Sequence, residues 1–280
     1  MVIVICYYRP FVFHCVLMSM YAQTNIQLFN QLQRDGYRDA QLRLIADAYF
    51  LAARLFAARI EVSGKCFMAH VIGTASILSA SAAPAELVAA GLVHNVYCNG
   101  DFGDYRKKIT EAKRRRIRNT IGEKAEQYAY RFATRHWNSA GLRNMHEQLS
   151  GMQELDRQVV LLYLADQLEK HLGLEILFRK DYEQRCQYYR EFGPLLVDTA
   201  RQLGYSSLSH QLQEALLATL GATVPAELRS SCSLRFSYLC IPESCRSKRM
   251  IPALLAIPSR IRRMLRKKRH RQDVRPVLGG

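Results

Sequence analysis

Two histidines are the residues whose type and spacing most directly favour metal chemistry in this sequence. His70 lies near the start of one predicted helix, and His94 lies near the end of the next. Consecutive helices joined by a short turn run antiparallel, so the start of the first lies beside the end of the second. The two imidazoles can therefore meet. Because imidazole nitrogens are common ligands of divalent transition metals, the pair predicts part of a metal site.

Asp166 could supply the negative charge that such a site needs. It lies in the segment Leu164–Leu168, on an otherwise apolar helix face, where burying an unpaired carboxylate would cost on the order of several kcal/mol. A metal ion held by both histidines would be one partner for this carboxylate. An arginine or the end of a neighbouring helix would be another, and single histidines on helices are more often ordinary core or surface side chains.

The elements that must position these residues are predicted from hydrophobic periodicity. Apolar residues recur at intervals of three and four from Thr24 onward, which is the period of a helix with one buried face. Asp39 is a suitable N-cap for a helix that extends to about Ile60, and a loop is expected around Gly141. Further helices are predicted at about 67–80, 84–97, 106–118, 123–136, 152–174, 181–203 and 207–220. No alternating strand pattern competes, so we predict an all-α bundle over residues 21–222.

The first twenty residues fall outside the predicted bundle. They are apolar, but Arg9-Pro10 interrupts them, and they lack the small-residue cleavage site of a signal peptide. We expect residues 1–20 to be an extension outside the domain. Periodic sequence begins directly after Met18 and Met20, which predicts that translation starts there rather than at Met1.

Residues 223–280 carry most of the basic charge of the chain. The formal net charge is +16 at pH 7, and residues 246–275 hold twelve Lys and Arg against one acid. The helical period is lost after Val224-Pro225, so we predict a basic, mostly irregular C-terminal tail. Residues 261–265 could form a short amphipathic helix that binds an anionic membrane, and charge alone equally allows nucleic acid. A solvated, disordered extension is the simpler alternative.

The cysteines and the overall hydropathy bear on where the protein resides. Eight cysteines occur without any CxxC pair, which excludes a zinc ribbon or thioredoxin-type motif built from local spacing. A mean hydropathy of −0.15 excludes a polytopic membrane protein. Reduced thiols are the plain interpretation, so we predict a cytoplasmic protein that is peripheral to a membrane only through its tail.

Three blocks of sequence occur in a recognisable order: Ser63 to His70, Ala89 to Asn95 and Leu164 to Asp166. They resemble the SGxxxxxH, AALLHD and LADR blocks of the HD superfamily of metal-dependent phosphohydrolases, in particular its (p)ppGpp-hydrolase branch. The chain is also similar to an uncharacterised bacterial family with the pattern GKxFxxHxxGTAxxL followed by AGLxHxxYxxGxFG. Here this second pattern covers Gly64 to Leu78 and Gly91 to Gly103.

The resemblance covers about residues 21–200 and implies an HD-like helical bundle with a divalent ion bound by His70, His94 and Asp166. The aspartate of the HD pair is replaced here by Asn95, whose carbonyl oxygen can coordinate an ion without adding negative charge. Affinity for Mn²⁺ or Mg²⁺ is therefore expected to fall, and the preference to move toward a softer metal. Mn, Fe, Mg and Zn all remain candidates.

Three further residues near these blocks are candidates for catalytic work. Asp101, on the loop beyond His94, could restore a carboxylate and act as a base or orient a metal-bound water. Lys65 and Arg59 could clamp phosphate oxygens, although solvated surface charge is the alternative. The function that the resemblance favours is hydrolysis of a nucleotide or other small phosphorylated ligand. The alternative is a non-catalytic ligand-binding or scaffold protein of the same fold, whose basic tail contacts a membrane or nucleic acid.

Overall fold

The chain folds into packed α-helices, which confirms the predicted all-α class. The computed structural model describes residues 21–104, 108–232 and 237–240. The predictions for residues 1–20 and for the surface helix at 261–265 lie outside the described residues. The helices are α1 (Asn25–Arg34), α2 (Asp39–Phe56), α3 (Phe67–Ala80), α4 (Ala85–Val93), α5 (Val96–Asn99), α6 (Glu111–Thr134), α7 (Ser139–Glu147), α8 (Glu154–Leu172), α9 (Tyr182–Gln202) and α10 (Ser206–Gly221).

Helices α3, α4 and α8 form the centre of the bundle. Every residue of α4 except Glu86 is buried, and α8 is buried continuously from Val159 to Glu169. Helix α3 packs on both α4 and α8, while α2 covers the other side of α4. A helix that is apolar all round must be surrounded by other elements. Polar side chains on these three helices therefore need partners inside the protein.

The prediction that the helix beginning at Asp39 extends to about Ile60 is wrong. Helix α2 ends at Phe56, and the two-residue strand β1 (Arg59–Ile60) pairs antiparallel with β2 (Tyr238–Leu239). The partner strand is nearly 180 residues away in sequence, so no local pattern could indicate this pairing. The expected N-cap is also shifted by one residue, because Arg38 has the extended cap conformation and Asp39 is already helical.

Two other predicted segments differ from the structure. The loop expected around Gly141 is instead helix α7, because Asn138 accepts a hydrogen bond from the Gly141 amide and Leu142 and Met145 form a buried face. The helix expected from residue 84 to 97 stops at Val93 and resumes as α5. Helix α6 joins two predicted helices across a kink at Gly122, where φ is +78°.

Residues beyond α10 also contact the helices. The Ser230 amide donates to the Phe178 carbonyl at 2.8 Å, and the Arg229 guanidinium lies 3.9 Å from the centre of the Tyr182 ring. The domain limit at residue 222 and the tail that follows it stay predictions. Among the described residues, no helix combines the length and the apolar character that crossing a membrane requires. The described Cys66 and Cys186 are free thiols.

Candidate metal centre

The structure brings His70, His94 and Asp166 together in the interior. His70 Nε2 lies 3.2 Å from Asp166 Oδ1, and His94 Nε2 lies 3.3 Å from the same oxygen. The centroids of the two imidazole rings are 5.3 Å apart. All three residues are buried, with exposed fractions of 0%, 0% and 2%. The antiparallel arrangement of α3 and α4 thus has the effect that the sequence predicted.

Small residues allow α3 and α4 to approach closely enough for the two histidines to meet. A Cβ atom added to Gly91 would lie 2.8 Å from Leu78 Cδ1 and 3.2 Å from Ala75 Cα. Both distances are shorter than an ordinary van der Waals contact. Gly91 is therefore required by the close packing of the two helices, which sets the distance between the imidazoles.

The break after α4 orients His94. His94 and Asn95 lie between α4 and α5, and Asn95 has a non-helical ψ of 8°. His94 Nδ1–H donates to the Gly91 carbonyl at 2.8 Å. This hydrogen bond assigns the proton to Nδ1 and leaves the lone pair of Nε2 facing Asp166, which is the arrangement of a metal-ligating histidine.

Asp166 is held as a carboxylate by its neighbours. Its Oδ2 accepts hydrogen bonds from Lys170 Nζ at 2.6 Å and from Gln167 Nε2 at 2.8 Å. Burial opposes ionisation, but the Lys170 ammonium and the two imidazoles hold the pKa of Asp166 well below its usual range. The partner that the sequence left open is therefore a lysine one turn along the same helix, and Oδ1 remains directed at the histidines.

Glu169 is a site residue that the sequence analysis missed. Its Oε2 accepts a hydrogen bond from His70 Nδ1 at 2.6 Å, and its Oε1 forms an ion pair with Lys65. A Cβ atom at Gly73 would lie 2.7 Å from Glu169 Cγ, so only glycine at position 73 of α3 leaves room for the Glu169 side chain. Glu169 lies three residues after Asp166 on α8, and this helical spacing could have indicated that the two share a face.

A buried nitrogen atom of His70 that has no hydrogen-bond partner tests whether the site suits a cation. His70 Nε2 is buried and has no hydrogen-bond partner, although it lies 3.2 Å from Asp166 Oδ1. Burial by itself would lower the pKa of His70, but the carboxylates of Glu169 and Asp166 raise it to about 10. Burial lowers the pKa of His94, which stays neutral. The buried carboxylates therefore favour a positive charge between the two imidazoles.

The donor atoms also have suitable spacing. The ligating atoms of His70, His94 and Asp166 lie within 4.8 Å of one another. Their separations of 3.2 and 3.3 Å from Asp166 Oδ1 match the edges of a coordination polyhedron with bonds of about 2.1 Å. Two imidazoles and one carboxylate suit Zn²⁺, Fe²⁺ and Mn²⁺ alike. The residues present fit a divalent ion.

Asn95 lies beside this donor set. Its Nδ2 is 2.7 Å from His94 Nε2, and the residue is half-buried. Rotating the Asn95 side-chain amide by 180° would place its carbonyl oxygen where Nδ2 now lies, and the oxygen could coordinate an ion there. Its assignment as a fourth ligand stays a prediction.

The structure does not bring Asp101 and Arg59 to this centre. Asp101 is exposed, and its carboxylate accepts a hydrogen bond from the Gly103 amide at 2.8 Å. Arg59 is on β1, and its Nη1 donates to the Ser237 carbonyl at 3.4 Å. Neither residue lines the cavity that opens beside the candidate metal centre and is described below. Their catalytic roles stay predictions.

Lys65 lies on the far side of Glu169 from the histidines. Its ammonium pairs with Glu169 and lies 4.0 Å from Glu175 Oε2. These groups line a separate cavity of about 430 Å³ that also includes Tyr21. Because the Lys65 charge is engaged by Glu169, it supports the orientation of His70, and its role as a phosphate clamp stays a prediction.

A cavity of about 470 Å³ opens beside the candidate metal centre, and its lining includes Asn95 and Asp166. One wall is aromatic: Trp137 and Tyr163 stack with ring centroids 4.1 Å apart and an interplanar angle of 2°. The remaining aromatic and charged lining residues are Phe132, Tyr188, Tyr189, Glu61, Lys170, Glu175, Arg179 and Arg185. Two of the candidate ligands, Asp166 and Asn95, therefore face a space that a small molecule can enter.

Comparison with known proteins adds two similarities. A family model described as Domain of unknown function (DUF6817) matches residues 51–136, the part of the chain that holds His70 and His94. A solved structure of a metazoan ortholog of SpoT, which hydrolyzes ppGpp, is similar with a TM-score of 0.45 and 18% sequence identity, covering 65% of this chain and 96% of that one. No curated protein matches significantly. The chain is thus similar to the DUF6817 family across α3 and α4.

Proposed function

We propose that this protein is an HD-like, metal-dependent phosphohydrolase that acts on a nucleotide or another phosphoester. One observation carries the proposal: two buried imidazole Nε2 atoms and an ionised carboxylate oxygen converge within 4.8 Å beside an open cavity. Two imidazoles and a carboxylate are a ligand set that suits a divalent ion, and the cavity lined by Asp166 and Asn95 gives a substrate access to them. The order of the HD-like sequence blocks supports the same function.

Each side chain of the centre has a defined task in this proposal. His70, His94 and Asp166 would hold the ion, and Asn95 could add a carbonyl oxygen. When bound, the ion supplies Lewis-acid stabilisation of a phosphoryl oxygen and lowers the pKa of a bound water. Glu169 fixes the ring of His70 through Nδ1, and carboxylate–histidine pairs of this kind strengthen metal binding.

Lys170 has two tasks at the cavity. Its ammonium holds Asp166 as a carboxylate, which keeps a negatively charged ligand available for the ion. It also lines the cavity, where an N–H of the ammonium that Asp166 does not accept can donate a hydrogen bond to a phosphate oxygen.

Metal content tests the proposal. We expect the purified full-length chain to bind one divalent ion, and to hydrolyse phosphoesters in a screen with Mn²⁺, Fe²⁺, Zn²⁺ and Mg²⁺. His70→Ala and Asp166→Ala should lose both properties, while His210→Ala should keep them, because His210 is an exposed histidine paired with Glu214. Circular dichroism shows whether each variant is folded. A folded wild type that retains no ion would refute the proposal.

A non-catalytic ligand-binding protein of the same fold is the second candidate. Asn95 favours it, because the amide adds no negative charge where an aspartate would. Asn95→Asp separates the two functions. If the wild type hydrolyses phosphoesters, the variant should bind the ion more tightly and keep activity. If only the variant hydrolyses them, the natural chain is a binding protein.

A further inference from the structure

We infer that the cavity beside the candidate metal centre takes a phosphate monoester that carries a flat aromatic group, with the size and charge of a nucleoside monophosphate, and discriminates against polyphosphates. The inference rests on the proposed function in one respect, namely that a divalent ion sits at His70, His94 and Asp166. The aromatic wall and the charge balance of the cavity carry it.

The aromatic wall is rigid and suits a flat ligand. Trp137 Nε1 donates to the Phe132 carbonyl at 2.9 Å, and one face of the Trp137 ring is covered by Tyr163. Trp137 is only half-buried, and with Tyr188 it lines the cavity. Fixed aromatic rings bind nucleobases by stacking with little dependence on the base. The volume of about 470 Å³ lies in the range of small-ligand pockets.

The basic residues of the cavity are already neutralised by carboxylates. Lys170 pairs with Asp166, as described above. Arg179 forms a bidentate pair with Asp181, with distances of 2.7 and 3.0 Å, and Arg185 pairs with the same carboxylate at 3.1 Å. Partial burial opposes ionisation of Asp181, yet the two guanidinium groups lower its pKa to about 2, so the pairs persist at neutral pH.

Acidic residues therefore match the bases around the cavity, since Glu61 also lines it and Glu175, which lines it too, lies 4.0 Å from the Lys65 ammonium. The excess positive charge would come from the bound ion alone. One divalent ion balances one phosphate dianion. A triphosphate or larger polyphosphate would leave several negative charges beside carboxylates without compensation, which weakens its binding.

Fluorescence of Trp137 provides a direct measurement, because it is the single tryptophan of the chain. The full-length protein with Mg²⁺ or Zn²⁺ is titrated with the four common nucleoside 5′-monophosphates, the matching triphosphates and ribose 5-phosphate. We expect at least one monophosphate to quench Trp137 with a Kd at least tenfold below that of its triphosphate. Ribose 5-phosphate should bind at least tenfold more weakly and should not quench.

The outcomes separate this inference from the proposed function. Equal or tighter binding of triphosphates, equal binding of ribose 5-phosphate, or no binding of any nucleoside monophosphate overturns the inference. A monophosphate that binds but is never hydrolysed leaves the inference standing and refutes the enzymatic function. A protein that hydrolyses other phosphoesters but binds no nucleotide would refute the inference and leave the enzymatic function standing.

A charge variant tests the electrostatic step. Asp181→Asn releases Arg179 and Arg185, so affinity for triphosphate should rise at least fivefold relative to monophosphate. Asp198→Asn is the matched control, because Asp198 pairs with the exposed Arg201, which does not line the cavity. An unchanged affinity ratio in a folded Asp181→Asn variant would contradict the charge argument.

Discussion

The three central helices and the loop that follows α5 hold their candidate residues in different ways. On α3 and α8, His70 and Asp166 are buried; His70 contacts Asp166 and Glu169 across the two helices, and Asp166 also pairs with Lys170 on its own helix. On the loop, Asp101 is exposed, and the hydrogen bond described for its side chain is to Gly103, two residues away. The difference teaches that tertiary packing, rather than residue type, decides which carboxylate is held ionised beside the two imidazoles.

The largest expected effect is that of Asp166→Ala. The variant removes the carboxylate between the two imidazoles and leaves the ammonium of Lys170 without its partner. We expect a loss of about 3 kcal/mol in the free energy of unfolding without metal, together with loss of ion binding. Urea unfolding and elemental analysis measure the two effects. Asp198→Ala should change neither, and a similar loss there would remove the contrast.

The second prediction sharpens the role of Glu169. Gly73→Ala places a methyl group 2.7 Å from Glu169 Cγ, so Glu169 must move away from His70. We expect a decrease of about 10–100-fold in metal affinity, measured by competition with a chelator. Glu169→Gln should lower affinity less, because it keeps an acceptor. Gly221→Ala is the control, since a Cβ there meets no atom within 4 Å.

The third prediction concerns pH. His171 on α8 is buried, and burial together with the nearby Lys170 charge lowers its pKa to about 3. Its Nδ1 is 2.9 Å from Thr219 Oγ1. Between pH 6.5 and 3 the unfolded chain takes up a proton at this residue and the folded chain does not, so stability falls as the pH falls. The contribution lost at pH 5.5 is about 1.4 kcal/mol.

Urea unfolding at pH 7.0 and 5.5 measures this contribution. The free energy of unfolding should decrease less from pH 7.0 to pH 5.5 in His171→Gln than in the wild type. His210→Gln should not, because His210 is exposed and its pair with Glu214 is at the surface. Equal pH dependence in wild type and His171→Gln would contradict the assignment.

The smallest effect is expected on the loop. Asp101→Asn removes a charge from an exposed side chain while keeping an acceptor for the Gly103 amide. Metal affinity should change less than twofold, since the residue does not line the cavity. A tenfold decrease in metal affinity would indicate that Asp101 contributes to the site, and would contradict the contrast drawn between the loop and the central helices.

Local sequence patterns were sufficient for most helices and for the approach of the two histidines. The period of three to four residues predicted α3 at residues 67–80, and the short turn after it made α4 antiparallel. These features depend on interactions between neighbours in sequence. Helix α7 was missed because its buried face consists of only two residues, Leu142 and Met145, in a polar segment.

The sequence by itself determined the helical class, the pairing of α3 with α4, and the placement of His70 beside His94, because each depends on periodicity or on a short turn. Only the tertiary structure decided that Glu169 orients His70, that Lys170 keeps the buried Asp166 carboxylate ionised, and that β1 pairs with β2. These contacts join distant elements or depend on which helix faces become buried. The two charged pairs are strong because burial removes the water that would otherwise screen their charges, and no local pattern records that burial.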